Sequence, residues 1–332
     1  MIVSPAGPAC RALKNRHRLN AEMSLAASVT ESLTARWNGL AANVRGAVLV
    51  TVGALLLVVM AVFVKMLGKR LDSFQILFFR SFVGLLFILP LAFRYGLDIC
   101  RTRYPFKHLT RGGVGILGNF CFFYSITHLL LADAMALQFS RPLFMIVLAA
   151  LFLGERAGWA RGLATVVGFA GVVFITRPFS TGFEPAAVIG ALGALFGALV
   201  VVAIKQLSKT ESTTVIMFYY AFWGAVFSLP AALWVWKTPT WPELGLLVIV
   251  GFLGILGQSG ITRGVSIAET TFVLPFDYLR IVYAGIFGIL LFNEIPDAWS
   301  IGGTAVIVVS TYYILRAEAR AKARAAKPPA GA

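Results

Sequence analysis

An arginine inside an apolar run costs about 2.5–3.5 kcal/mol to insert into a bilayer, so its presence there marks a candidate site. Two stand out: Arg141 in Ala136-Leu-Gln-Phe-Ser-Arg-Pro142, and Arg280 in Phe276-Asp-Tyr-Leu-Arg280. Each lies about ten residues into its run, roughly 15 Å deep at about 1.5 Å per helical residue, near mid-depth. Asp277 precedes Arg280 by three positions, so the two share a helical face and can pair, either as a neutral structural tie or as part of a site. Gln138 stands in the corresponding place before Arg141, which therefore needs a partner from another helix or from a ligand. Asn119 and Gln258 are uncharged groups that could bind substrate or tie helices together. Tyr278, Tyr283 and Phe144 flank the arginines and could stack on a ring. Arg80 lies in the outer third of its run and reads as a structural, snorkelling side chain. Two guanidiniums against one carboxylate leave a cationic site suited to a carboxylate or phosphate.

Other chemistry is poorly represented. His17, His108 and His128 sit in separate segments, and neither a carboxylate pair nor a GxSxG motif occurs, so a membrane enzyme is disfavoured. Cys10, Cys100 and Cys121 are odd in number and form no CxxC, which argues against a disulfide framework or zinc site. No metal or cofactor is expected.

The elements that must position these residues are membrane spans. Of 332 residues, 59% are hydrophobic and 13% charged, and the mean hydropathy is +0.84. An ordinary soluble domain carries about 45–50% apolar and about 25% charged residues, so this chain has too little polar surface to cover a globule. Ten spans are expected, near 45–65, 74–93, 112–129, 132–153, 158–176, 186–204, 214–236, 244–262, 270–292 and 298–316. Backbone groups in lipid must be satisfied locally, so each span is a helix and the fold class is an all-α polytopic membrane protein. The net charge of +15 resides mostly in connections and tails, which points to membrane orientation rather than nucleic acid. With both termini inside, inner segments hold 21 Lys/Arg and outer ones five; five of the inner residues fall between the second and third spans, at 94–111. Lys65, Lys69 and Arg70 run against that bias. Residues 1–44 read as a cytoplasmic tail without a secretory h-region, within which Met23 is an alternative start, and residues 317–332 read as a disordered cytoplasmic tail.

The chain also repeats itself. Shifted by 140, Val64–Ala92 overlays Ile204–Ala232 with 11 identities in 29 positions, including Lys65/Lys205, Gly84/Gly224 and Pro90/Pro230. Shifted by 139, Gly115-Ile-Leu-Gly118 meets Gly254-Ile-Leu-Gly257, Arg141 meets Arg280, and Glu155 meets Glu294. Each half, 45–180 and 181–316, thus contains five spans; five is odd, so the second copy enters from the opposite side, as in transporters that open a midplane site to each face in turn.

These residues make the chain similar to the drug/metabolite transporter superfamily, in its EamA-domain branch. The resemblance is carried by Phe78-Phe-Arg80-Ser, the Arg141 and Arg280 segments, Phe152-Leu-Gly-Glu155-Arg and Phe292-Asn-Glu294, and covers about 45–316. It implies ten helices in two EamA repeats, a central cavity between the halves, and movement of a small metabolite across the plasma (inner) membrane. The small multidrug resistance relatives use a glutamate in the first helix, yet 46–64 and 186–204 contain no acid here, which disfavours proton-coupled export of cations. The expected substrate is anionic or zwitterionic, bound by Arg141, Arg280, Asp277, Gln138, Asn119, Gln258 and Tyr278. A homodimer is open as an assembly. A receptor or scaffold that carries no cargo is the competing class, and the repeat argues against it.

Overall fold

The computed structural model describes residues 37, 39–95, 102–153, 159–177, 184–207, 210–211, 213–268 and 270–325. Among them, all regular structure is helical: α1 Ala42–Leu67, α2 Ser73–Tyr95, α3 Pro105–His128, α4 Leu131–Gln138, α5 Arg141–Leu153, α6 Trp159–Thr176, α7 Pro185–Leu207, α8 Thr213–Trp234, α9 Trp241–Ile267, α10 Thr270–Asp277, α11 Leu279–Phe292 and α12 Ala298–Ala325. Among the described residues, seven segments are long and apolar enough to cross a bilayer, and Gly162–Thr176 and Leu279–Phe292 are shorter apolar helices. Large apolar side chains point outward, among them Leu290, Val166 and Val309 at 67–73% exposure, as a surface facing lipid requires. Trp234 and Trp241, at the two ends of the connection between α8 and α9, are also exposed and suit the polar boundary of a bilayer.

Local signals set several helix ends. Pro105 begins α3, where a missing N–H costs nothing. Thr240 and Glu243 form a capping box at the start of α9. Asn293 ends α11 in the left-handed conformation (φ 56°), which turns the chain sharply toward Glu294. Pro90 and Pro230, equivalent in the two halves, lie inside α2 and α8.

Two expectations need correction. The fourth and ninth spans are broken rather than continuous: α4 gives way to α5 at Phe139–Ser140, and α10 to α11 at Tyr278. Pro142 has no N–H for the Gln138 carbonyl, and the chain tightens instead through Phe139 N–H to Ala136 O and Ser140 N–H to Leu137 O. Thr311 of α12 donates to the freed Phe139 carbonyl at 3.0 Å. The last helix also continues past residue 316 to Ala325, because Ala, Arg, Lys and Glu in 316–325 are strong helix formers. Residues 1–36, 326–332 and Glu155 lie outside the described residues.

Packing follows the sequence repeat. Gly53 of α1 lies so close to α9 that an added Cβ would meet the Gly257 carbonyl at 2.8 Å. The equivalent pair, Gly193 of α7 and Gly118 of α3, repeats the close approach, with 3.3 Å from the Gly193 Cβ position to the Gly118 carbonyl. Likewise Gly112 packs on Trp223, and its counterpart Gly251 packs on Val83, the counterpart of Trp223. The largest apolar core, with Val64, Leu67, Leu71, Ile126, Leu131, Leu247 and Phe123, fills the end of the bundle away from where α1 begins and α12 ends. Ion pairs tie that same end: Lys65–Glu294, Arg70–Glu243 and Arg177–Asp297.

Candidate functional site

Glycines on α3, α7 and α9 keep these helices close to their neighbours and leave a cavity of about 400 Å³ among them, α2 and α8. It runs from mid-bundle toward the end where α1 begins, past Ile88, Ile204, Ile216 and Thr262. That volume lies in the range of about 300–1,000 Å³ usual for small-molecule sites. Its charged lining consists of Arg80, Arg111 and Arg141; no acidic residue lines it among the described residues.

Each arginine is aimed by contacts with neighbouring helices or with its own chain. Arg80 of α2 lies against Gly254 of α9, 3.1 Å from its Cβ position to the arginine Nε, and donates through Nη1 to the Tyr220 hydroxyl at 3.2 Å. Arg111 of α3 is 6% exposed and stacks its guanidinium on the Tyr220 ring, 4.7 Å from the centroid. Asn119 donates to the same Tyr220 hydroxyl. Arg141 opens α5, where unsatisfied N-terminal amides add positive potential. It lies against Gly197 of α7 and donates through Nη2 to Gln138 Oε1 at 2.5 Å. Nε of all three arginines, and Nη1 of Arg111, have no protein partner.

Counterparts in the repeat meet at the centre. Arg80 and Tyr220, 140 residues apart, hydrogen-bond to each other. Phe139 and Tyr278, 139 apart at the two helix breaks, stack with ring centroids 4.6 Å apart. Arg141 and Arg280 are also counterparts, yet their fates differ. Arg280 is paired with Asp277, and its guanidinium lies over the Phe139 ring at 5.1 Å. The difference traces to one position: Gln138 in the first half is neutral, and Asp277 in the second is anionic.

Of the residues expected from sequence, Arg141, Asn119 and Gln258 line the cavity. Arg280, Asp277, Tyr278 and Gln138 do not; they form the layer at the helix breaks, where Gln138 holds Arg141. Arg80, read as snorkelling, faces the cavity, because Tyr220 gives it an internal acceptor. Arg111 was counted among loop charges, although α3 begins at Pro105 and buries it. A sequence signal for it exists: Arg111, Gly115, Gly118 and Asn119 are spaced i, i+4, i+7 and i+8, one face of a helix. A further buried carboxylate is Asp133, in the first turn of α4, which accepts a hydrogen bond from Ser300 at 2.8 Å.

A multi-pass helical body that encloses a polar cavity lined from both halves of a repeat defines a membrane transport protein. Comparison with known proteins agrees: the profile of the EamA-like transporter family matches residues 44–177 and 185–316. The chain belongs to that family, within the drug/metabolite transporter group, and its class is transport rather than catalysis. It is 35% identical over 260 residues to an S-adenosylmethionine uptake transporter of Rickettsia bellii, covering 78% of this chain and 89% of the relative. It is 37% identical over 276 residues to a pseudopaline exporter of Pseudomonas aeruginosa (82% and 96%). A riboflavin transporter of Rhizobium johnstonii shares 32% identity over 251 residues (73% and 81%). A crystal structure at 21% identity superposes with a TM-score of 0.54 over 82% of this chain and 97% of the other, which speaks to the fold alone.

Proposed function

We propose that this protein is a secondary transporter that moves a small anionic or zwitterionic metabolite across the plasma membrane by alternating access. The observation that carries the reading is the convergence of Arg80, Arg111 and Arg141 on one cavity without a lining carboxylate among the described residues. Buried cations with open N–H donors are stabilised by an anion that supplies the missing acceptors. Arg141 and Arg111 are the principal substrate anchors, Arg80, Asn119, Tyr220 and Gln258 complete the lining, and Gln138 positions Arg141. Asp277, Arg280 and Tyr278 form the packed counterpart of that anchor.

The chain forms ten crossings in two inverted repeats, 45–180 and 181–316, with both termini cytoplasmic. The reciprocal packing of counterparts, Gly53–Gly257 with Gly193–Gly118 and Gly112–Trp223 with Gly251–Val83, supports a two-fold relation, and inversion is supported because α1 ends beside the end of α3 (Gly68 against Thr127), where its counterpart α7 begins (Ser125 donating to the Ala186 carbonyl). The conformation described then faces the cytoplasm, with its external end tied by Lys65–Glu294 and its companions. Exchange of the two halves' packing would open the other side.

Purified protein in proteoliposomes, loaded with radiolabelled anionic and zwitterionic metabolites, S-adenosylmethionine and riboflavin in turn, tests the reading. Flux of at least one, lost in Arg141→Gln with the protein still folded by size-exclusion profile, is expected. Full transport by Arg141→Gln, or no flux of any compound, would refute it.

A further inference from the structure

We propose that the cavity selects substrates carrying two separated anionic groups and rejects those whose charge is balanced by an ammonium. This rests on the transport reading above and narrows its substrate class.

The donors fall into two groups on different walls. Arg80 and Arg111 converge on Tyr220, one through its hydroxyl and the other through its ring. Arg141 is held instead by Gln138 and lies against Gly197, on the wall formed by α5 and α7. Each guanidinium retains buried N–H groups without a protein partner: Nε of Arg80, Nε and Nη1 of Arg111, and Nε of Arg141. Arg111 matters most, because it is buried, no acidic side chain among the described residues lines the cavity beside it, and its Nε and Nη1 have no protein partner.

Charge counting then discriminates among ligands. A single carboxylate satisfies one pole and leaves the other cationic and desolvated. A zwitterion also brings an ammonium into a cavity whose other polar lining groups, Ser81, Asn119, Tyr220, Gln258 and Thr262, are all neutral. Two anionic groups, one at Arg141 and one at Arg80/Arg111, answer both poles. Carboxylates and phosphates share this chemistry, but a lone phosphate places its charge at a single point.

The test uses the full-length purified chain. Thermal stabilisation in detergent and counterflow in proteoliposomes are measured with succinate, glutarate and adipate as dianions. Pentanoate serves as the monoanion, 5-aminopentanoate as the zwitterion, and glycerol 3-phosphate as the single-point dianion. At least one dicarboxylate should bind about tenfold or more tightly than pentanoate or 5-aminopentanoate. Arg111→Gln should weaken that dicarboxylate by about ten- to a hundredfold and pentanoate by less than about threefold. Arg111→Lys, which keeps the charge, should recover part of the loss, and this guards against misfolding of the glutamine variant. A zwitterion or monoanion bound as well as every dicarboxylate, glycerol 3-phosphate alone, or equal losses for all ligands in Arg111→Gln overturns the inference. Flux of pentanoate or 5-aminopentanoate in those cases leaves the transport reading standing, whereas no flux of any compound in either panel overturns both.

Discussion

Position 138 is where the two halves of the chain part ways, and a single isosteric change there should convert one half's behaviour into the other's. Gln138 Oε1 accepts from Arg141 Nη2 at 2.5 Å, so Gln138→Glu places a carboxylate oxygen at the same spot without altering side-chain volume. Arg141 then resembles Arg280, whose charge Asp277 answers. A substrate anion on the opposite edge of Arg141 would sit about 7 Å from the new charge; at an effective dielectric constant of about 20 the repulsion is about 2.4 kcal/mol. That converts to about a fiftyfold loss of affinity for an anionic substrate. Folding should survive, because the added carboxylate is buried beside a cation that neutralises it. The assay is KM and Kd for the transported anion in proteoliposomes and detergent, with unfolding temperature as the control. Affinity within about threefold of wild type, in a variant that folds normally, would refute the reasoning.

Three further outcomes follow from the same geometry. Tyr220→Phe removes the acceptor shared by Arg80 and Asn119 while keeping the ring under Arg111; Arg80 is then no longer aimed at the cavity, so substrate KM should rise by about tenfold, and the unfolding temperature should fall because two donors lose their acceptor. Glu294→Gln leaves Lys65 uncompensated and weakens the acceptor for the Leu131 amide (2.8 Å). The expected cost is about 2–3 kcal/mol, below the about 3–5 kcal/mol of fully enclosed pairs, since both side chains keep 12–14% exposure. Thermal unfolding measures it, and Lys65→Met in the same chain should restore part of the loss. Asp297, outside the spans, is held down to about 2 from an ordinary 3.8 by the Arg177 guanidinium and the Ser300 amide. A depressed carboxylate contributes stability above its ordinary value and loses it as the pH falls through about 2, so Asp297→Asn should lower the unfolding temperature equally at pH 5 and pH 8.

Much of the architecture is legible in the amino-acid sequence. Apolar runs at 46–64, 186–204 and 298–315 announce spans because crossing hydrocarbon demands a fixed length of uncharged chain. The repeat was visible because Lys65/Lys205 and Pro90/Pro230 keep register over 29 positions. Arg141, Asn119 and Gln258 were recognised as candidates because a polar group deep in an apolar run needs an explanation. Arg111 escapes because only His108, Leu109 and Thr110 separate it from Lys107, so hydropathy assigns it to a connection. Arg80 escaped because its acceptor, Tyr220, comes from the other half.

The amino-acid sequence by itself thus determined the multi-pass helical character of the chain, its two related halves and the cationic character of the interior, since these depend on residue type and spacing along one helix. Only the tertiary structure decided which arginines face the cavity. That choice depends on how each helix is rotated and where it breaks, and those are set by contacts between segments far apart in the chain: glycines at Gly53–Gly257 and Gly193–Gly118, Tyr220 between Arg80 and Arg111, and the stacked Phe139–Tyr278 pair.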